Sequence, residues 1–156
     1  MSDIVDSQTR SRMMSGIRGK NTKPELVIRS ALHGLGFRFR LHRKDLPGRP
    51  DIVLPRYQAV IQINGCFWHG HMCALFKWPN TREEFWKTKI HGNMERDKRN
   101  LALLAENNWR ICVIWECALR SKSSEQVANL LSDLEAWIKG PAEYAEFSGS
   151  FPTRSQ

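Results

Sequence analysis

Between Asn64 and Cys73 the chain sets two thiols, two imidazoles and two adjacent large aromatics within ten residues, Asn64-Gly65-Cys66-Phe67-Trp68-His69-Gly70-His71-Met72-Cys73. Thiolate sulfur and imidazole nitrogen are soft or borderline donors that suit zinc. Cys66, His71 and Cys73 fall within eight residues, and Cys117 follows Trp115-Glu116 at the end of an apolar run. A closed structural zinc takes four protein ligands, which Cys66, His71, Cys73 and Cys117 supply as a Cys₃His set. Cys112 competes for the fourth place, but it lies inside the apolar run, where a thiol is more often a small core hydrophobe. Cys117, at the strand end, can turn toward a neighbouring loop. Four unligated cysteines are the plain alternative.

Two side-chain types in the same stretch remain after a metal is satisfied. His69 stands two residues before His71, and one zinc bound to both would strain so short a loop. With His71 on the metal, His69 is free for proton transfer, because imidazole titrates near neutrality. A surface or supporting histidine is the other reading, and the residues alone leave both open. Phe67 and Trp68 sit in a loop beside polar and metal-binding groups, where aromatic faces can stack on bases. Core packing is the alternative there, and it is the better reading for Trp109 and Trp115 on a strand.

The elements that must position these groups follow from periodicity. Thr22-Lys23-Pro24-Glu25 has the form of a capping box with Pro early in the first turn, opening a helix with Val27, Ile28, Ala31, Leu32 and Leu35 at helical spacing. Gly34 and Gly36 end it. Phe37, Phe39 and Leu41 alternate with Arg38, Arg40 and His42 as a first strand, Asp51 to Leu54 forms a second, and Gln58 to Ile63 returns as a hairpin partner. Thr81-Arg82-Glu83-Glu84 is a second capping-box pattern and starts a long helix to about Glu106. Trp109 to Trp115 is a fourth strand, and a last helix from Ser124 to Lys139 stops at Gly140-Pro141. A helix between the third and fourth strands is a crossover, so that pair is expected parallel in a mixed sheet. The fold class is therefore α/β. Residues 1–20 read as a basic arm, 21–140 as the folded domain and 141–156 as a tail.

Composition narrows the partner. The 156 residues carry a net charge of +8 and a pI near 9.7. From Arg10 to Arg49 there are eleven Lys or Arg against two acids, Glu25 and Asp45, whereas the segment after Ser121 is mildly acidic. A basic half of this kind fits a polyanion, with Arg10, Arg12, Arg18 and Lys20 of the arm as phosphate contacts; a solvated charged face is the alternative. No apolar stretch approaches a membrane span, and residues 1–6 lack a signal-peptide layout. That points to the cytoplasm, where paired disulfides are not expected.

Pro50-Asp51 at the head of one strand, with a hairpin return at Gln58 to Asn64, is similar to a large nuclease class in which a strand aspartate and a neighbouring acid-x-lysine hold a divalent metal. Here Gln62-Ile63-Asn64 offers neither acid nor lysine, so Asp51 by itself also reads as a turn cap or a partner of Arg49. Larger blocks carry more. Leu46-Pro47-Gly48-Arg49-Pro50-Asp51, Gly65 to His71 with Cys73, Asn93-x-x-Arg96-Asp97, and Trp109-Arg110 through Trp115-Glu116-Cys117-Ala118-Leu119 together resemble the very-short-patch repair DNA mismatch endonucleases. The match runs from about Thr9 to Lys139 in the family's order.

That resemblance implies a bacterial enzyme with a restriction-endonuclease-like core, a mixed sheet flanked by helices and a structural zinc. It would nick one strand of duplex DNA beside a T:G mismatch left by deamination of 5-methylcytosine. It implies magnesium on Asp51 and on the backbone carbonyl of Ile63, Glu25 in support, and His69 as the proton-handling group. Phe67, Trp68 and Trp86 would wedge beside the mismatch, with Met14 of the arm entering from the opposite groove and Asn93 among the DNA contacts. Asn64 stands where the family commonly has histidine, and Ile63 replaces a hydroxyl residue. An amide cannot exchange a proton as imidazole does, which bears on rate more than on reaction type. The implied setting is a cytoplasmic, nucleoid-associated monomer, linked to a cytosine-5 DNA methyltransferase and to mismatch-repair accessory proteins. The competing class is a zinc-stabilised DNA-binding module without catalysis, which would not need Asp51, Glu25 and His69 to converge. An RNA-binding zinc protein has little support beyond charge.

Overall fold

A computed structural model of the chain describes residues 22–73 and 75–149. Five strands form one sheet in the order β1 (Arg40–Leu41), β2 (Ile52–Leu54), β3 (Ala59–Asn64), β4 (Arg110–Trp115) and β5 (Tyr144–Phe147). The β1–β2 and β2–β3 pairs are antiparallel, and the β3–β4 and β4–β5 pairs are parallel. The two parallel steps need crossovers, which α2 (Glu83–Glu106) and α3 (Ser124–Lys139) provide. The α/β class with a mixed sheet and the parallel β3–β4 pair agree with the sequence reading.

Side-chain alternation along the central strands divides the core in two. Ile52, Leu54, Ala59, Ile61, Cys112 and Ile114 share one face with Ile28 and Leu32 of α1 (Lys23–Gly34) and with Leu134, Trp137 and Ile138 of α3. Val53, Val60, Ile111 and Val113 face the other way, onto Leu104 of α2. Strands covered on both faces read as continuous apolar runs, which is why β2 through β4 lack a polar side. Cys112 lies in this core, consistent with its reading as a hydrophobe.

Four local expectations change. β1 shrinks to two residues, because Phe37 is drawn back to the helix end, its amide donating to the Leu32 carbonyl at 3.0 Å. The capping box at Thr22 is half made: its hydroxyl accepts from the Glu25 amide, while the Glu25 carboxylate turns elsewhere. The box expected at Thr81 does not form. Arg82 takes the N-cap position in the left-handed region (φ 54°), with its guanidinium 4.4 Å from the Phe85 ring centre. Finally, the segment after Gly140 is not all tail, since Tyr144–Phe147 adds a parallel edge strand to β4. Among the described residues no helix is long and apolar enough to cross a membrane.

Candidate active site and thiol–imidazole cluster

The loop leaving β3 folds back on itself through short-range backbone bonds. The His69 amide donates to the Gly65 carbonyl at 3.2 Å, Gly70 to Phe67 at 3.2 Å, and His71 to Cys66 at 2.9 Å. Gly70 has φ +66°, where a side chain is strained, and a Cβ there would meet the Met94 side chain of α2. Cys117 arrives from the one-turn 3₁₀ segment Glu116–Ala118 after β4. As a result, Sγ of Cys66, Cys73 and Cys117 and a ring nitrogen of His71 lie within 4.8 Å of one another, with the three thiols buried.

Groups around this cluster hold its members in place. The Cys66 amide donates to Glu116 Oε1 at 3.2 Å, the Gly149 amide to the Cys117 sulfur at 3.3 Å, and the His71 ring stacks on Trp115 at 4.1 Å and 9°. Burial pushes the Cys66 thiol well up, the Cys117 thiol up and the His71 imidazole down. The neutral forms are therefore favoured until a cation arrives to stabilise thiolate. Three sulfurs and one nitrogen in this spacing suit a tetrahedral zinc-like ion.

A second cluster gathers at the head of β2. Glu25, Ile28 and Leu32 form the buried stripe of α1, so helical periodicity carries a carboxylate into the core at the stripe's first position. Glu25 is 1% exposed. His42 Nε2 sits 2.7 Å from Glu25 Oε2 and 3.9 Å from Asp51 Oδ1, and Arg29 reaches Glu25 at 3.4 Å. Asp51 Oδ2 accepts the Ile63 amide at 2.8 Å, so the hairpin brings the backbone of residue 63 to Asp51. Burial raises the Asp51 carboxyl to about 7; the Ile63 amide works against this and the Glu25 charge adds to it.

His69 lies on the other side of the same strand ends. Its Nδ1 is 2.5 Å from Asp97 Oδ2 of α2. A small cleft here is lined by Gly48, Gln62, Asn64, His69, Asp97 and Asn100. Gly48, at φ +75°, is held against Asn100, where a Cβ would come within 3.0 Å of that side chain.

The aromatics form a connected platform. Phe67 contacts Trp68 at 5.1 Å and Trp86 at 5.5 Å between ring centres, and Trp68 and Trp86 are 5.8 Å apart. Phe76 stacks on Phe67 at 5.8 Å and meets Trp78 at 4.9 Å. Asn93 Nδ2 donates to the Trp68 carbonyl at 2.9 Å, so this side chain anchors the loop.

Asp51, Glu25, Ile63, Asn64 and His69 thus gather around the ends of β2 and β3, Cys66, His71, Cys73 and Cys117 form a separate cluster, and Phe67, Trp68 and Trp86 share one platform. Met14, Arg10, Arg12, Arg18 and Lys20 lie outside the described residues. Sequence reasoning passed over His42, Asp97 as the partner of His69, and the aromatics Phe76 and Trp78. Asp97 carried a usable signal, because it falls four residues after Asn93 on the helix face that meets the loop. His42 carried none beyond its polar place in an alternating pattern.

A family model described as DNA mismatch endonuclease Vsr matches residues 2–75. The chain is 45% identical over 146 residues to the DNA mismatch endonuclease Vsr of Escherichia coli, covering 94% of each protein. It is 49% identical over 119 residues to the type II nicking enzyme V.XorIIP of Xanthomonas oryzae, covering 76% of this chain and 88% of that one. A Neisseria meningitidis nicking enzyme, V.NmeAIP, is 42% identical over 123 residues, covering 79% and 88%. These relatives set aside the non-catalytic binding module. They establish that the chain belongs to the Vsr family of DNA mismatch endonucleases, hydrolases of the phosphodiester bond.

Proposed function

We propose that this endonuclease nicks one strand of duplex DNA beside T:G mismatches arising from deamination of 5-methylcytosine, with magnesium at Asp51 and a structural zinc on Cys66, His71, Cys73 and Cys117. The observation that carries the reading is the clustering of Glu25 and Asp51 at the ends of β2 and β3, with the Asp97-paired His69 on the loop that leaves β3. A carboxylate cluster and an oriented imidazole on adjoining segments are what phosphodiester hydrolysis needs and what a binding module does not. A mixed sheet with an aspartate at the head of the hairpin supports a restriction-endonuclease-like core.

Carboxylate and backbone oxygens fit a hard cation, and Asp51 and the Ile63 carbonyl would hold magnesium, with Glu25 alongside. Held there, magnesium would supply polarisation of the phosphate and a lowered pKa for the attacking water. Asp97 orients the His69 ring through Nδ1, leaving Nε2 to take the proton as the water oxygen bonds to phosphorus. One P–O bond to the leaving strand breaks as the new one forms, and the departing oxygen regains a proton. Asn64 contributes hydrogen bonding in the cleft, so proton transfer rests on His69.

Recognition falls to the platform of Phe67, Trp68 and Trp86. Wedging aromatics between base steps costs a few kcal/mol, least at a mispaired step, which favours mismatches over paired DNA. The basic arm, with Met14 and Arg10 to Lys20, would add phosphate contacts and a second wedge. A T:G source in 5-methylcytosine implies a functional link to a cytosine-5 methyltransferase, in keeping with relatives named as nicking enzymes. The enzyme would act in the cytoplasm on the nucleoid, as a monomer, with accessory repair proteins downstream. Single-turnover nicking of a T:G duplex, with and without magnesium, tests the reading. Magnesium-dependent scission of the T strand is expected; cleavage in chelator, or equal cleavage of paired duplex, would overturn it.

A further inference from the structure

Resting on the reading of Asp51 as a metal-binding carboxylate, we propose that His42 is a direct ligand of a divalent cation, completing a nitrogen-and-oxygen site with Glu25 and Asp51. The nitrogen would shift the metal preference of this centre from magnesium toward manganese.

Three observations converge on His42. The first is register. Arg40 pairs with Val53 and Leu41 with Ile52, so His42 lies directly across from Asp51, and its amide donates to the Asp51 carbonyl at 3.1 Å. Directly opposed residues on antiparallel strands bring their side chains together. The second is the size of the gap. His42 Nε2 is 2.7 Å from Glu25 Oε2 and 3.9 Å from Asp51 Oδ1, and one atom from each of the three residues lies within 4.8 Å of the others. An ion with bonds of about 2.1 Å holds neighbouring ligands roughly 3 Å apart and opposite ones about 4 Å apart. The two separations from His42 Nε2 lie close to these spans. The third is backbone conformation. His42 adopts φ +49°, in the left-handed region that a non-glycine residue enters at a cost. The hydrogen bond to Asp51 holds it there, and the ring meets both carboxylates as a result.

A hydrogen bond from His42 to the buried Glu25 would satisfy that carboxylate without any metal. That role accounts for the 2.7 Å contact but does not require Asp51 to lie within reach of the same nitrogen. Metal binding would use the Nε2 lone pair, moving the ring proton to Nδ1. The chemistry then differs from an all-oxygen site. Imidazole nitrogen favours later, softer divalent ions over magnesium and calcium, and manganese accepts both donor types.

The test uses the full-length, zinc-loaded protein without DNA. Manganese binding is followed by the loss of the free-ion electron paramagnetic resonance signal, and ligand identity by electron spin echo modulation from directly bound nitrogen. Wild type is expected to show ¹⁴N modulation at one equivalent of manganese and to bind manganese at least about tenfold more tightly than magnesium in competition. His42→Gln should abolish the modulation and erase that preference. His69→Gln should keep both, which excludes the neighbouring imidazole as the source. Wild-type manganese without nitrogen modulation overturns the proposal whether or not the variants fold, and so does modulation that persists in His42→Gln. Asp51→Asn separates this inference from the reading beneath it. Manganese affinity unchanged in Asp51→Asn removes Asp51 from the metal, whereas affinity lost in Asp51→Asn but intact in His42→Gln removes only His42.

Discussion

The two polar clusters of this molecule are built by opposite strategies. The thiol–imidazole cluster takes three of its four donors from one loop of eight residues, Cys66 to Cys73, and adds Cys117 from the strand end beside it. The acid–histidine cluster takes Glu25 from a helix, His42 from the exit of β1 and Asp51 from the head of β2, three separate elements that meet only when α1 packs on the paired strands. The first cluster fixes a loop; the second needs the whole sheet before it exists. The thiol–imidazole cluster can therefore tolerate motion elsewhere, whereas the acid–histidine cluster depends on register across β1, β2 and β3.

The largest expected effect of breaking one side of this comparison comes from Asp51→Asn. Single-turnover scission of a T:G duplex should fall by about a thousandfold or more, with mismatch binding nearly kept, because the change acts on the transition state. Full cleavage by that variant would refute the nuclease role of Asp51. On the other side, Cys66→Ser or a strong chelator should cost about 5 kcal/mol or more of stability, unfolding or aggregating the chain. Purified protein that lacks tightly held zinc would contradict this.

A smaller effect joins the two regions. The Cys66 anchor precedes Trp68 by two residues, and Asn93 holds the Trp68 carbonyl. Trp68→Ala should reduce the preference for T:G over paired duplex by about tenfold while leaving nonspecific affinity almost unchanged. Competition binding with the two duplexes reads this directly, and a preserved preference would remove Trp68 from the wedge.

The acid cluster also predicts a pH dependence in magnesium-free protein. The folded chain holds the Asp51 proton up to about 7, well above the usual carboxyl range near 3.9. The native state therefore binds more protons than the unfolded chain over that window. Its stability should fall as pH rises from about 4 to 7, by roughly 2–4 kcal/mol from this group. Urea unfolding at pH 5 and pH 8 should show the loss in wild type and a clear reduction of it in Asp51→Asn. Equal slopes would show that Asp51 does not titrate in that window. The smallest change expected is Asn64→His, which should leave single-turnover nicking unchanged or raise it severalfold; a large loss would mean the amide is itself required.

Much of this architecture is set locally. The apolar runs of β2 to β4, the boundaries of α3 and the spacing of Cys66, His71 and Cys73 all follow from period, caps and ligand chemistry over short distances. Glu25 could be placed on a helix, and Asp51 at a strand head, in the same way. Only the folded sheet decided the rest. β5 became a strand because the free edge of β4 offered it a partner, while its own four residues have a weak pattern. Arg82 displaced the expected cap through a backbone choice and a ring contact that no local motif encodes. His42 met Asp51 through strand register, and Glu25 met His42 and Asp97 met His69 through helix packing, contacts that no single segment encodes. Local patterns report the free energy of one segment at a time, whereas these pairings form only when several segments are buried together.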